Sequence, residues 1–271
     1  MPELPEVETT RRGIAPGVSG RQVLAVDVRQ WALRWPIPAE LPARVTGQVV
    51  RGIERRGKYL LVRFEHGTML VHLGMSGSLR LISAAEPLRR HDHVIWQFDN
   101  DLSLRLNDPR RFGSVLWTEA PAEHHPLLRD LGPEPFSEAF SAEYLKRLTA
   151  HRRAAIKTTL MDARVVVGVG NIYASEALFL AGIHPARASG RIAHPRYERL
   201  VAAVRQVLEE AIAAGGTTLR DFVGGDGRPG YFAQQLRVYG RASQPCRACA
   251  APVRHLRQGQ RSSYFCPDCQ K

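Results

Sequence analysis

The four cysteines of this 271-residue chain all lie within its last 26 positions, as Cys246-x-x-Cys249 and Cys266-x-x-Cys269 with sixteen residues between the pairs. Each Cys-x-x-Cys turn places two thiolates on one side of a metal ion, and the segment between can form a hairpin that brings the second pair opposite. That is the spacing of a tetrahedral zinc site. Two disulfides are the competing reading. They suit a secreted chain, and no apolar signal segment opens this one. Four unrelated thiols would not confine themselves to two tight pairs. Cys246, Cys249, Cys266 and Cys269 are therefore expected to hold one structural zinc ion. The same segment is basic: from Gly240 to Lys271 it carries Arg241, Arg247, Arg254, Arg257, Arg261 and Lys271 against Asp268 alone. Such a balance suits a clamp for phosphates, and equally an ordinary solvated surface.

The basic excess extends to the whole chain, with a formal charge of +12 and an isoelectric point near 10.2. An excess of this size raises association with polyanions, of which nucleic acid is the commonest. An acidic membrane surface would call for a basic amphipathic helix or a lipidation signal, and neither is visible. No run approaches the ~20 apolar residues that a membrane helix needs. Reduced, metal-ligating cysteines and the lack of a targeting segment lead to the expectation of a cytoplasmic, nucleoid-associated monomer.

Two kinds of pattern divide the chain. From Arg21 to about Thr118 it is β-like, with short apolar runs at Gln22–Val28, Gln48–Arg55, Tyr59–Glu65, Thr68–Leu73, Ser78–Ile82, His93–Phe98, Leu102–Leu106 and Ser114–Thr118. Turn residues separate them, and this spacing predicts an antiparallel sandwich or barrel. Glu3 to Arg12 reads as a short helix ahead of the strands, with acids in its first turn. The character changes around Gly132-Pro133-Glu134-Pro135. Beyond it Ala142–Ala150, Ala154–Ala163, Ile172–Ala181 and Tyr197–Ala214 read as helices, the last with an apolar stripe from Leu200 to Ile212. A stretch from Gly224 to Gly230, rich in glycine, reads as a mobile loop.

Several constellations are able to carry chemistry. Met1-Pro2-Glu3 opens the chain, and removal of the initiator methionine ahead of a small residue would leave Pro2 with a free secondary amine. An α-amine has an unperturbed pKa near ~8, so part of it is neutral and nucleophilic at physiological pH. Attack on an aldehyde-level carbon would give an iminium, with Glu3 alongside as general acid or base. Met-Pro openings are common, and alone this one carries little weight. Lys58 stands at a strand junction, where it can point into a cleft. His72-Leu73-Gly74-Met75-Ser76-Gly77 exposes a methionine between glycines, and Asn107-Asp108-Pro109-Arg110-Arg111-Phe112-Gly113 is a turn with two arginines and an aromatic. Met75, Arg110 and Phe112 on loop tips fit wedges inserted into a base stack, or else loop hydrophobes that cap the sandwich. Gly168-Val169-Gly170-Asn171 joins two helices through a turn able to offer backbone N–H groups and Asn171 to a phosphate. Arg152, Arg153 and Lys157 lie upstream and would extend that contact. A structural helical hairpin is the alternative.

In this order the pieces closely resemble the bacterial formamidopyrimidine-DNA glycosylases, and the match covers nearly the whole chain. It runs through Pro2 to Thr9, Gly57-Lys58-Tyr59-Leu60, His72 to Gly77, Asp108 to Gly113, Val167 to Glu176, Gly230-Tyr231-Phe232-Ala233 and the cysteine quartet. The resemblance implies an α+β fold of two domains: an N-terminal antiparallel β-sandwich with flanking helices, and a helical helix–two-turn–helix domain with a zinc-finger hairpin. The expected boundaries are 1–132 for the catalytic sandwich, 133–141 for a linker, 142–235 for the helical DNA-binding domain and 236–271 for the zinc finger.

It further implies a bifunctional enzyme of base-excision repair, a DNA glycosylase and abasic-site lyase that acts on damaged double-stranded DNA. Oxidised purines such as 8-oxoguanine and formamidopyrimidines would be flipped into a pocket. The Pro2 amine would attack C1′ while Glu3 opens the sugar ring. Lys58 would act as an acid and contact the lesion's phosphate. Arg261 would grip that phosphate with Asn171 and aid the second elimination. Met75, Arg110 and Phe112 would fill the void left by the flipped nucleotide, with Arg110 facing the orphaned cytosine. His72, His91, Arg152 and Lys157 complete the expected DNA contacts, and the Gly224–Gly230 stretch would close over the base. Two rivals predict otherwise. An endonuclease VIII-like enzyme for oxidised pyrimidines tends to begin Pro-Glu-Gly-Pro and lacks the Met/Arg/Phe set. A non-catalytic zinc-ribbon binder explains charge and cysteines but not Pro2-Glu3 together with Lys58.

Overall fold

The computed structural model describes residues 2–217 and 232–271, so Met1, Tyr231 and the Gly224–Gly230 stretch lie outside the described residues. Those described form two units, residues 2–129 with 214–217, and residues 130–213 with 232–271.

The first unit opens with α1 (Leu4–Val18) and continues through β1 (Val23–Val28), α2 (Leu41–Val45), β2 (Gly52–Arg56), β3 (Tyr59–Phe64), β4 (Gly67–His72), β5 (Ser78–Ser83), β6 (Asp92–Phe98), β7 (Leu102–Asn107) and β8 (Ser114–Thr118). The eight strands form two antiparallel four-stranded sheets, ordered β1-β6-β7-β5 and β2-β3-β4-β8. One apolar core takes Val94, Trp96, Leu104 and Leu106 from the first sheet and Leu60, Val62, Met69 and Val71 from the second. Of the sandwich or barrel that the spacing of the apolar runs predicts, the chain forms the sandwich.

Helix α1 runs six residues beyond Arg12, through Gly13 and Pro16. Its Leu4, Val7, Ile14 and Val18 are all buried. Burial of such side chains is worth roughly 2 kcal/mol each, more in total than the ~1 kcal/mol cost of a helical glycine and ~3 kcal/mol of a proline. Helix α2, absent from the sequence reading, is five residues long; its Leu41 and Val45 are fully buried in the same core.

The second unit holds α3 (Ala142–Thr149), α4 (Ile156–Leu160), α5 (Asn171–Leu180), α6 (His194–Ala213) and the hairpin β9 (Arg254–Gln258) and β10 (Arg261–Phe265). Ser141 caps α3 by accepting the Tyr144 N–H. Within the segment 133–141, the carbonyls of Pro135, Ser137 and Phe140 accept hydrogen bonds from the Arg205 guanidinium of α6. The helix expected over Ala154–Ala163 is shorter. Ala155 is extended in a bridge to Ala188, and the chain turns away at Asp162, whose carbonyl accepts the N–H groups of Val165 and Val166. Fully buried Glu176 of α5 accepts the backbone N–H groups of Arg237, Val238 and Tyr239, which fixes the strand of chain leading to the cysteines.

Candidate active site and nucleic-acid contacts

In the first unit, Pro2 and Glu3 are buried at the start of α1, with Glu3 extended at the N-cap. The charge of Glu6 organises this end. Its Oε2 accepts the Glu3 N–H at 2.7 Å and its Oε1 accepts the Thr217 N–H at 2.8 Å. A buried carboxylate with both oxygens engaged by backbone donors fixes its neighbours, because any displacement leaves an N–H desolvated and unpaired. The residue next to Pro2 is thus held in one place.

Lys58 sits in the two-residue turn of the β2–β3 hairpin, after Gly57 at φ +57. Arg55 supports that turn: its Nη1 donates to the Gly57 carbonyl at 3.1 Å and its Nε to Glu8 of α1 at 3.2 Å. Burial alone would raise the Glu8 carboxyl, but hydrogen bonds from Arg11 and Arg12 and the charge of Arg55 bring it down to about 2. His72 pairs with Tyr59 across β3 and β4, their rings 4.8 Å apart. Burial first, then the positive charges of Lys58 and Arg34, push the His72 imidazole down to about 4. Its Nδ1 accepts the Gly74 N–H at 3.0 Å, so the neutral ring carries its proton on Nε2. At neutral pH His72 is therefore a neutral imidazole.

Met75, Arg110 and Phe112 are brought together by two loops packed backbone to backbone. Gly74 has φ +65, and a Cβ there would lie 2.4 Å from Gly113 N and Phe112 C, so the close approach requires glycine. Arg111, with φ +57, is a non-glycine residue in the left-handed region, which costs about 1 kcal/mol. That turn leaves Arg110 and Phe112 exposed, the guanidinium carbon 4.9 Å from the Phe112 ring centroid. His91 joins this group through its carbonyl, which accepts the Asp108 N–H, and through an edge contact of its ring with His93.

In the second unit, Gly168 at φ +81 shapes the turn and Asn171 begins α5. Lys157 is only 1% exposed, and its ammonium donates to Asn171 Oδ1 at 2.6 Å, Ser262 O at 2.9 Å and Ser263 Oγ at 2.8 Å. With three protein acceptors and no exposure, it braces Asn171 against the β9–β10 hairpin. Asn171 Nδ2 donates in turn to the Tyr239 hydroxyl. Arg261 is exposed at the first position of β10, opposite Gln258. It lines a cavity of about 170 Å³ with Lys157, Thr158, Met161, Asp162, Gln258 and Ser263. Arg152 stands apart from this group; its carbonyl accepts the Gly190 N–H, and its charge acts on Tyr144 and Tyr197.

The four cysteine sulfurs lie within 4.8 Å of one another, with Cys246–Cys269 at 4.0 Å, Cys249–Cys266 at 3.4 Å and Cys249–Cys269 at 3.5 Å. Zinc–sulfur bonds of ~2.3 Å in a tetrahedron set sulfurs about 3.8 Å apart. The donor set fits one zinc ion with four protein ligands, which is a structural site with no position open for chemistry.

The ties made by Glu6, Glu8 and Arg55 were not assigned from sequence. Thr217 and Arg55 lie far along the chain from Glu6 and Glu8, so no local spacing signals those two contacts.

Comparison with known proteins accounts for this arrangement. Residues 1–115 match the formamidopyrimidine-DNA glycosylase N-terminal domain, 131–223 the formamidopyrimidine-DNA glycosylase H2TH domain, and 243–271 a zinc finger found in FPG and IleRS. The chain is 57% identical to a formamidopyrimidine-DNA glycosylase of Methylococcus capsulatus and 59% identical to one of Thioalkalivibrio sulfidiphilus, each over 100% of both chains. Among solved structures it is similar to a Lactococcus lactis FPG mutant in complex with Fapy-dG containing DNA, at 31% identity, TM-score 0.92 and full coverage of both chains. It is also similar to MutM (FPG) of Thermus thermophilus, at 39% identity and TM-score 0.89, over 99% of this chain and 98% of that one.

Proposed function

The chain belongs to the formamidopyrimidine-DNA glycosylase family, and from that premise we propose that it excises oxidised purines from duplex DNA and then cuts the strand at the resulting abasic site. The observation that supports this reading best is the buried Pro2-Glu3 pair at the start of α1, where Glu6 Oε2 accepts the Glu3 N–H. A protein that only bound DNA would have no use for an amine and a carboxyl fixed there. Damaged double-stranded DNA is the partner, as in the structural relatives solved with damaged DNA. No helix among the described residues is long and apolar enough to cross a membrane; a cytoplasmic, nucleoid-associated enzyme is the corresponding expectation.

The residues divide the work as follows. With the initiator methionine removed, the Pro2 nitrogen donates its lone pair to C1′ of the lesion's sugar. The bond to the damaged base breaks with its electron pair leaving on the base, and the nitrogen's proton passes to that departing base. Glu3 gives a proton to the ring oxygen, the ring opens and an iminium remains. That iminium draws electrons from C2′, a proton leaves, and the 3′-phosphate departs; loss of the 5′-phosphate follows. Lys58 binds the lesion's phosphate and serves as an acid. Arg261 and Asn171 bind a DNA phosphate, Asn171 braced by Lys157, and the four cysteines would hold the zinc ion that secures the hairpin carrying Arg261. Met75, Arg110 and Phe112 occupy the gap in the stack, with Arg110 toward the unpaired cytosine. His72, His91 and Arg152 add DNA contacts.

A duplex with 8-oxoguanine opposite cytosine tests the reading. The expected product is a one-nucleotide gap bounded by phosphates. Cleavage of a thymine glycol duplex alone would favour the pyrimidine-specific sister enzymes, and tight binding with no cleavage of either would favour a binding module.

A further inference from the structure

Three loops of the first unit meet at the fully buried Asp108, two through its carboxylate and one through its main chain. Its Oδ1 accepts the Ser76 hydroxyl at 3.1 Å, on the loop that carries Met75. Its Oδ2 accepts the Gly113 N–H at 2.7 Å, closing the turn that carries Arg110 and Phe112. The main chain of the same residue makes the third connection. Asp108 N–H donates to the His91 carbonyl at 3.1 Å, while Asp108 O accepts from His93 Nε2 at 2.9 Å and from the Arg111 N–H at 3.1 Å. We infer that Asp108 is the positioning residue that sets Met75, Arg110, Phe112 and His91 in one fixed geometry, so that the stack is opened by a preformed wedge. The inference rests on the wedge reading of Met75, Arg110 and Phe112 given above.

The chemistry favours a carboxylate at this point. Two donors reach it from different loops, and a carboxylate accepts both without offering a proton to either. A side chain lacking both acceptors would leave the Gly113 N–H buried and unpaired, which the loop relieves by moving. Arg111 is already in a left-handed conformation, so the turn has a relaxed alternative once that tie is cut. Asparagine can keep much of the arrangement, with its oxygen on the Gly113 N–H and its amide donating to Ser76 Oγ.

The test compares two duplexes in single-turnover assays with the full-length, zinc-loaded protein. One carries 8-oxoguanine opposite cytosine, where a stacked base must be extruded. The other carries an abasic site opposite cytosine, where no base remains to unstack. Asp108→Ala is expected to slow 8-oxoguanine excision by about tenfold or more while strand cleavage at the abasic site changes much less. Asp108→Asn is expected to restore most of the excision rate, and Phe112→Ala to show the same selective loss as Asp108→Ala. Equal losses on both duplexes for Asp108→Ala, with a selective loss for Phe112→Ala, would overturn the role of Asp108 and leave the wedge standing. No selectivity in either variant would overturn the wedge reading, and this inference with it. Should Asp108→Ala fail to fold, Ser76→Ala cuts only the Oδ1 tie and decides the matter: it must lose 8-oxoguanine excision selectively, and equal rates on both duplexes would reject the inference.

Discussion

Glu8 accepts the Arg55 Nε–H at 3.2 Å, and the same guanidinium donates from Nη1 to the carbonyl of Gly57. One ion pair thereby ties the helix that begins beside Pro2 to the turn that presents Lys58. The side chains are only 12% and 10% exposed, so this pair is shielded from the solvent screening that makes surface pairs weak. Arg55→Met removes one partner from Glu8 and one donor from Gly57 O. The expected loss of stability is about 2 kcal/mol, with strand cleavage slowed more than DNA binding. Denaturant unfolding and single-turnover cleavage measure the two, and an unchanged midpoint would remove the tie from the account.

Acid should weaken the first unit in two stages. His72 is depressed to about 4 in the folded chain from an ordinary 6.5. Between those values the unfolded chain binds a proton that the folded one refuses, so stability is lost as pH falls from 6.5 toward 4. Glu8 is depressed to about 2 from 4.5, so its contribution is present above pH 4.5 and disappears as pH falls through about 2. Urea midpoints at pH 7, 5.5 and 4 should therefore decline, and His72→Gln should flatten the decline in that range. A decline of the same slope in the variant would assign it to other groups.

Much of the fold was legible in the sequence because each signal was local. Eight short apolar runs gave eight strands, the stripe from Leu200 to Ile212 gave α6, and two Cys-x-x-Cys turns gave the hairpin and its sulfur cage. The extent of α1 was not legible, since burial of Ile14 and Val18 outweighs the breakers between them. Candidate reactive and exposed residues could be proposed from motifs, but what holds them could not. Asp108 meets Ser76 across 32 positions, Lys157 meets Ser263 across 106, and Glu6 meets Thr217 across 211. Such pairs exist only once the sheets and helices have packed. Lys157 shows the consequence: the sequence offered it as a contact to DNA, and only the fold reveals its bonds to Asn171, Ser262 and Ser263.

Zinc removal should act through that brace. The cysteine cage fixes the hairpin, and the hairpin supplies Ser262 O and Ser263 Oγ to Lys157. Structural zinc contributes folding energy directly, so chelation is expected to unfold the ribbon, weaken DNA binding and abolish strand cleavage. Full activity after metal loss verified by elemental analysis would contradict this role.

Arg261 and Lys157 should separate cleanly on DNA. With Arg261 in its proposed role of phosphate contact, the plot of log K against log salt is expected to become shallower by ~0.9 in Arg261→Ala. Lys157→Met leaves three acceptors without their donor and is expected to lower the unfolding midpoint and weaken binding, with the salt slope unchanged. Titrations at four salt concentrations distinguish them; an unchanged slope for Arg261→Ala would move that residue off the DNA.

The central claim is that the amine of Pro2 becomes covalently joined to the lesion's sugar. Incubation with a duplex holding 8-oxoguanine opposite cytosine, followed by borohydride, reduces any iminium to a stable amine that mass spectrometry can place on a residue. The account predicts a protein–DNA adduct at Pro2, absent when an extra residue is retained ahead of position 2. An adduct at a lysine, or none despite tight binding of the duplex, would contradict it.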